Sequence, residues 1–269
     1  YQILLKKNMK KKIKLEAVIF DLSGTIVDFG SLATIEAMKE VFKKRKIIVT
    51  NEIIKKNMGI RKISHIKKIL DNKKIKIQWR KNFRLNYSKK DLKNISKEFD
   101  KCLKIQVKNR LNVIPHAVKI FQMLRKNNIK IGSTTGYPNN LVKIIKPFLF
   151  KKKILPQVIV SVDNVKNGRP SPEMCIKNFQ NLNIKEPKNC LKVDDSLSGI
   201  MEGKNANMIT AGMVFTGIQL GYSKNKYYLI NKKIKAKMRK NIVNDFKKIG
   251  TNFIIDDLFH LSKVLKKII

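Results

Sequence analysis

An aspartate closes the first apolar run of the chain. Leu15 to Phe20 is apolar except for Glu16 and leads into Asp21-Leu22-Ser23-Gly24-Thr25. A carboxylate at the end of a buried strand can attack phosphorus, and the turn after it can aim backbone N–H groups at phosphate oxygens. Taken alone the pattern says little, because aspartates in such places often only cap helices. Its weight comes from what ends the other apolar runs: Thr134 and Thr135, then Asp163, then Asp194 and Asp195. The whole chain has 19 acidic residues. Several of them gathering at strand ends is better explained by a shared metal or phosphate site than by chance.

The elements that must position these residues follow from periodicity. After Leu15 to Phe20, similar apolar runs return at Ile129 to Thr134, Gln157 to Val162, Cys190 to Val193 and Met208 to Val214. Between them lie helical patterns at Ala117 to Leu124, Pro172 to Leu182 and Ser198 to Asn205. Strands alternating with helices predict an α/β fold with a doubly wound, parallel, Rossmann-like sheet, whose ligands bind beyond the carboxyl ends of the strands. Residues 30–107 break the alternation. Leu32, Ile35, Met38, Val41 and Phe42 make one amphipathic stripe, and Ile63, Ile66, Ile69 and Leu70 another, so a helical module is expected after the first strand. The expected division is 13–29 with 108–269 as the α/β core, 30–107 as the inserted helical cap, and 1–12 as an N-terminal extension ahead of or around Met9, the expected natural start. Asp28 falls at the hinge between core and cap, and His116, after Pro115, at a helix start in a structural role. The lysine-rich stretch Asn231 to Lys248 reads as a solvated outer face.

Composition excludes some classes. Sixty basic against 19 acidic residues give a net charge of +41, which by itself suggests a polyanion partner. The lysines, however, are spread along the whole chain, and the enrichment in Lys, Ile and Asn is what A/T-rich codons produce. No nucleic-acid partner is therefore expected. No run of 18 apolar residues is present, so no membrane span is expected, and the opening segment lacks the features of a secretory signal. Cys102, Cys175 and Cys190 are odd in number and contain no C-x-x-C pair. This fits reduced thiols and a cytoplasmic location.

In chain order the motifs resemble those of the haloacid dehalogenase superfamily. Thr135, within Gly132-Ser133-Thr134-Thr135-Gly136-Tyr137, resembles the second-motif hydroxyl that contacts the transferred phosphoryl. Arg169, within Gly168-Arg169-Pro170-Ser171-Pro172, stands at the third-motif cation, and Asp194-Asp195 resembles the acidic fourth motif that holds Mg²⁺. Most phosphatases of the superfamily read D-x-D, with the second Asp protonating the leaving oxygen. Here that position is Ser23, and loss of such an acid costs a simple phosphatase roughly 10²–10⁴-fold.

A second resemblance accounts for the departure. Lys56-Asn57-Met58-Gly59-Ile60-Arg61-Lys62-Ile63-Ser64-His65 closely resembles the cap motif of phosphonoacetaldehyde hydrolases, in which the lysine at the position of Lys62 forms an imine with the substrate aldehyde. A C–P bond expels a carbanion, too poor a leaving group to go directly, and a protonated imine lets those electrons settle as an enamine. The resemblance implies Asp21 as nucleophile and Mg²⁺ on Asp21, the backbone carbonyl of Ser23, and Asp195. It further implies a phosphonate held by Thr135, Gly136, Tyr137 and Arg169, and a homodimer. If a helix resumes after Gly59, Lys62 and His65 share a face at i and i+3. His65 is then expected to shuttle protons, with water or Tyr137 as the relay, while Met58 shields the amine. Set against this role is that of a solvated surface lysine, the ordinary state of lysine in so basic a chain. The likeness runs from about Leu15 to Asp256. Gly199 departs from it, standing where some members carry a further Asp. Alternatives are a phosphatase or dehalogenase of the same superfamily, the latter attacking carbon without metal, and a basic nucleic-acid-binding protein on this fold.

Overall fold

The computed structural model describes residues 14–56 and 58–269. Residues 1–13 and Asn57 fall outside the described residues, and with them the expected extension and the Met9 start.

Strand β1 (Ala17–Phe20) is wholly buried and is followed by α1 (Leu32–Lys43), α2 (Asn51–Lys55), α3 (Lys62–Leu70), α4 (Lys73–Phe83) and α5 (Lys89–Asn109). Alternation then begins: α6 (Ala117–Lys126), β2 (Lys130–Thr135), α7 (Asn139–Lys151), β3 (Val158–Ser161), α8 (Glu173–Leu182), β4 (Cys190–Asp194), α9 (Leu197–Asn205) and β5 (Ile209–Met213). The chain ends with α10 (Lys224–Leu229), α11 (Lys232–Lys248), β6 (Phe253–Ile255) and α12 (Leu258–Ile268). The six strands form one sheet in the order β3-β2-β1-β4-β5-β6, every pair parallel. β1 lies between β2 and β4 with helices on both faces, which is why its sequence is apolar throughout instead of alternating.

Register explains why the strand ends converge. Phe20 pairs with Ser133 of β2 and Val193 of β4, and the Asp21 N–H continues the ladder to the Val193 carbonyl at 2.9 Å. Asp21, the threonines after Ser133 and the aspartates after Val193 therefore leave the sheet at one level. From β1 the chain order runs outward in both directions, and such a switch point opens a crevice at the carboxyl ends.

The helices between β1 and β2 pack on one another as well as on the sheet. α5 is started by a capping box in which Ser88 and Asp91 satisfy each other's backbone N–H. It buries Ile95, Phe99, Cys102, Leu103 and Val107, a stripe laid along α1 and α3. α1 answers with buried Ile35, Met38, Val41 and Phe42. In α3, Ile66, Ile69 and Leu70 are buried as the stripe requires, but Ile63 is 51% exposed. Below, Phe20 stacks on Phe121 of α6 at 5.3 Å. α11 buries only Ile242 and Phe246, the expected outer face. The three cysteines are buried and unpaired, and no helix among the described residues is long and apolar enough to cross a membrane.

Candidate active site

Asp21 is 5% exposed at the tip of the central strand. Its Oδ1 accepts a hydrogen bond from Arg169 Nη2 at 2.8 Å. One ligand oxygen each from Asp21, Asp194 and Asp195 can be chosen so that all lie within 4.8 Å of one another. Burial and the Asp194 charge push the Asp21 carboxyl up from 3.8 to about 7, against the pull of Arg169 and Lys192. Burial and the charges of Asp21 and Asp194 lift Asp195 well above its ordinary value, although it accepts from the Ile218 N–H at 2.6 Å and the Ser31 hydroxyl at 2.9 Å.

Behind this surface lies a closed ion cluster that the sequence did not announce. Arg169 Nε reaches Glu202 Oε2 at 3.1 Å, and its Nη2 also meets the Thr134 carbonyl and hydroxyl, each at 3.0 Å. Lys192, fully buried inside β4, donates to Thr134 Oγ1 and pairs with Glu202 at 3.0 Å and Asp194 at 3.2 Å. Thr134 Oγ1 in turn donates a hydrogen bond to Glu202 Oε2 at 2.9 Å. Burial opposes the Lys192 ammonium, and Glu202 and Asp194 outweigh it, holding the amine above its ordinary value. Burial likewise opposes ionisation of Asp194, but Arg169 and Lys192 hold it below the usual carboxylate range. A lysine within an apolar strand run and a glutamate in a helix pattern were the only signals, and neither type is left fully buried without partners.

The donor set fits a divalent cation. Asp21, Asp194, Asp195 and Glu202 carry four negative charges against two from Arg169 and Lys192. The two carboxylates left without full compensation, Asp21 and Asp195, are the ones whose acidity is suppressed. Hard oxygens with a surplus charge of two are what Mg²⁺-type ions take up. The Ser23 carbonyl stands beside them. The Ser31 hydroxyl lies 3.1 Å from that carbonyl and 2.9 Å from Asp195 Oδ2, sharing one proton between two prospective ligands. The Ser23 side chain turns away, donating to Asp28 Oδ2 at 2.9 Å. Asp28 caps α1 through the Leu32 and Ala33 N–H groups, and its burial lifts the carboxyl to about 6. Asp194 faces Arg169 and Lys192 because Gly199 leaves room: a Cβ at 199 would collide with its carboxylate.

The opposite wall comes from the inserted helices. Met58 and Gly59 precede α3, which opens on Lys62 and carries His65 one turn later. This loop docks on the core. Ser198 Oγ donates to the Met58 carbonyl at 3.1 Å, Lys55 Nζ reaches the carbonyls of Leu220 at 2.7 Å and Gln219 at 3.2 Å, and Arg61 Nη2 reaches that of Lys166. Gly59 sits at φ +87°, and a Cβ there would strike the Ser198 hydroxyl, so only glycine permits the approach. Lys62 Nζ is held by both oxygens of Asp100, at 2.9 and 2.7 Å. His65 is 3% exposed, its Nε2 lies 2.8 Å from the Ile54 carbonyl, and burial pushes its pKa down to about 4. A carbonyl only accepts, so Nε2 carries the proton and Nδ1 is the bare nitrogen of a neutral ring.

Asp21, Ser23, Met58, Lys62, His65, Thr135, Gly136, Tyr137, Arg169 and Asp195 all line one cavity of about 90 Å³. Thr135 Oγ1 there accepts from the Tyr137 N–H at 3.1 Å. Burial, with the Asp28 charge nearby, raises the Tyr137 phenol. Three strand-end residues stay out of the cavity lining: Thr134, Asp194 and Asp163. Thr134 and Asp194 turn into the ion cluster, and Asp163 is exposed in the 3₁₀ helix Val162–Asn164, where it accepts from the Asn139 N–H at 2.8 Å to start α7. His116 begins α6 and packs its ring 5.3 Å from Phe259. Ser31, Asp100, Lys192 and Glu202 join or adjoin the site without having been singled out.

Three comparisons place this architecture among known proteins. Residues 15–207 match the family described as haloacid dehalogenase-like hydrolase. The chain is 36% identical over 266 residues to the bifunctional phosphonoacetaldehyde hydrolase/aminoethylphosphonate transaminase of Clostridioides difficile (strain 630), spanning 98% of this chain but only 41% of that relative. It is 32% identical over 256 residues to the phosphonoacetaldehyde hydrolase of Bacillus cereus, with 95% of this chain and 97% of the relative covered. The crystal structure of a phosphonoacetaldehyde hydrolase-like protein from Oleispira antarctica superposes with a TM-score of 0.91 at 29% identity, over 98% of this chain and 96% of the other. A β-phosphoglucomutase from Clostridium difficile, 23% identical with a TM-score of 0.59 over 85% of this chain and 99% of its own, shares the fold.

Proposed function

The chain belongs to the haloacid dehalogenase-like hydrolases and, within them, to the phosphonoacetaldehyde hydrolases, and from that membership we propose that it cleaves the C–P bond of phosphonoacetaldehyde to acetaldehyde and phosphate. One observation carries the reading: a carboxylate at the tip of β1 and a primary amine at the start of α3 line the same small cavity. The two come from opposite walls, so one substrate can present phosphorus to the first and its aldehyde to the second.

The cycle begins when the Lys62 amine condenses with the aldehyde and releases water, leaving a protonated imine. Asp21 then attacks phosphorus. The C–P electron pair moves into the carbon framework as an enamine, and the phosphoryl group is carried on the Asp21 carboxylate. Thr135 and the Gly136 turn hold phosphoryl oxygens, and Arg169, fixed by Glu202 and Thr134, presents its guanidinium edge to the same side. The enamine takes a proton at carbon and is hydrolysed to acetaldehyde, and water frees phosphate from Asp21. Asp21, the Ser23 carbonyl and Asp195 would hold a Mg²⁺-type ion, which would supply charge neutralisation to the transferring group. Met58 and the docked Gly59 loop exclude bulk water. Ser23 need not act as an acid, because the imine has replaced the leaving-group proton. His65, neutral with a free Nδ1, suits a proton-transfer role beside the imine.

The test is incubation with phosphonoacetaldehyde and Mg²⁺, following acetaldehyde and phosphate together, then borohydride reduction and mapping of the modified lysine. Equal yields of both products, sensitivity to EDTA and a label on Lys62 are expected. Lys62→Arg keeps the charge but forms no imine, so it is expected to be inactive. Activity surviving in Lys62→Arg refutes the mechanism, and turnover undiminished by EDTA favours a metal-independent relative.

A further inference from the structure

Between β5 and β6 one short turn meets both a prospective cation ligand and the inserted helices. Gly217 to Gly221 is closed by the Gly221 N–H, which donates to the Gly217 carbonyl at 3.0 Å. At its start the Ile218 N–H donates to Asp195 Oδ2 at 2.6 Å, closer than the Ser31 hydroxyl at 2.9 Å. At its end the Leu220 and Gln219 carbonyls accept from Lys55 Nζ at 2.7 and 3.2 Å. Lys55 is the last residue of α2, so its ammonium crosses from the inserted helices to the core. Burial pushes that amine below the ordinary lysine range: it has exchanged water for two backbone oxygens. The turn has no slack. A Cβ at Gly217 would lie 2.0 Å from that of Asp195, and one at Gly221, where φ is +61°, 2.2 Å from Lys55 Cε. Glycine at both ends lets the carboxylate and the lysine press on the same five residues.

We propose that Lys55 is a positioning residue for the cation site: by holding the 217–221 turn it holds Asp195, so that docking of the inserted helices and binding of the cation strengthen each other. The role rests on the reading of Asp21, the Ser23 carbonyl and Asp195 as the cation's ligands. Without the ammonium, the Gln219 and Leu220 carbonyls return to water and the turn loosens. The Ile218 N–H then leaves Asp195 Oδ2, and the carboxylate loses the bond that fixes its orientation beside Asp21. Coupling of this kind is reciprocal. Whatever Lys55 adds to cation affinity, the bound cation returns to the docking of α2 and of the Met58-Gly59 segment. Simple charge predicts the opposite sign: deleting a positive group near the site strengthens the binding of another cation.

The experiment is calorimetric titration of the metal-free protein with Mg²⁺, in the wild type, Lys55→Met, Gly221→Ala and the double variant. Lys56→Met serves as the charge control, because Lys56 is exposed and its loss removes the same charge. Amide exchange of α2, Met58 and Gly59 is followed with and without Mg²⁺, and urea midpoints in EDTA show that each variant is folded. Expected is an Mg²⁺ dissociation constant raised about 10-fold in Lys55→Met, raised also in Gly221→Ala, and not raised in Lys56→Met. The double variant should bind no more weakly than the weaker single, since both changes break one contact. Mg²⁺ should slow exchange in the wild type and not in Lys55→Met. Binding in Lys55→Met as tight as in the wild type, or tighter, overturns the proposal whatever the midpoint does, because the lysine then only docks the helices. So do losses that add fully in the double variant, and so does wild-type exchange that ignores Mg²⁺. A wild type that binds no Mg²⁺ is a different failure, since it removes the cation-site reading itself.

Discussion

Replacing Asp21 with Asn should abolish turnover and, in the metal-free protein, stabilise the fold by an amount that grows with pH. Burial and Asp194 raise the Asp21 carboxyl from 3.8 to about 7. Between those values the folded chain keeps a proton that the unfolded chain has released, so stability falls as pH climbs through that window and the full cost is present above about 7. At about 1.4 kcal/mol per tenfold step, that cost is about 4 kcal/mol at pH 8 and about 2 kcal/mol at pH 5. The attraction of Arg169 for the ionised carboxylate is already contained in the value of about 7, so the informative quantity is the change with pH in the difference between the two proteins. It should grow by about 2–3 kcal/mol in favour of Asp21→Asn from pH 5 to pH 8. Asp195, relieved of one like charge, works in the same direction. The assay is urea unfolding of both proteins in EDTA at the two pH values. Charge effects from the rest of this basic chain cancel in the comparison. Saturating Mg²⁺ should flatten the wild-type dependence, because a bound cation removes the reason to hold the proton. A difference that stays level or shrinks with pH refutes the idea that like-charge crowding and burial prime this site for a cation.

Lys192→Met strands Glu202 and Asp194 in the core without their ammonium, and loss of one partner from a buried ion cluster costs about 3–5 kcal/mol. A fall of that size in the urea-unfolding free energy is expected, with activity falling because Arg169 shares the same glutamate. Gly199→Ala places a methyl group against the Asp194 carboxylate and should lower both the unfolding midpoint and the rate. Gly136→Ala, whose new Cβ meets nothing within 4 Å, should leave the midpoint unchanged and report on the cavity alone. Equal losses of stability in the two glycine variants contradict that contrast.

What the sequence determined was the order of chemical groups and the kind of element delivering each. A wholly apolar run before Asp21 specifies a strand buried on both faces, and a parallel sheet then places its end beside those of its neighbours whatever the surface composition. Gly59 followed by a helical stripe specifies a turn and then a helix with Lys62 in its first turn. These are local rules of period and backbone freedom, so one chain is enough to read them. β6 escaped because three residues are too short to show a period.

Tertiary structure decided which groups touch. Thr134 and Thr135 are neighbours in one strand, and only side-chain alternation sends the first to Lys192 and Glu202 and the second into the cavity. Asp163 follows a strand as Asp21 does, yet β3 lies at the sheet edge and its carboxylate is taken up by the Asn139 N–H at the start of α7. Asp100 is an unremarkable acid on a long helix until the packing of α5 on α3 brings it to Lys62. Charge pairing depends on distances of about 3 Å between residues far apart in the chain, and no spacing rule in the sequence encodes them.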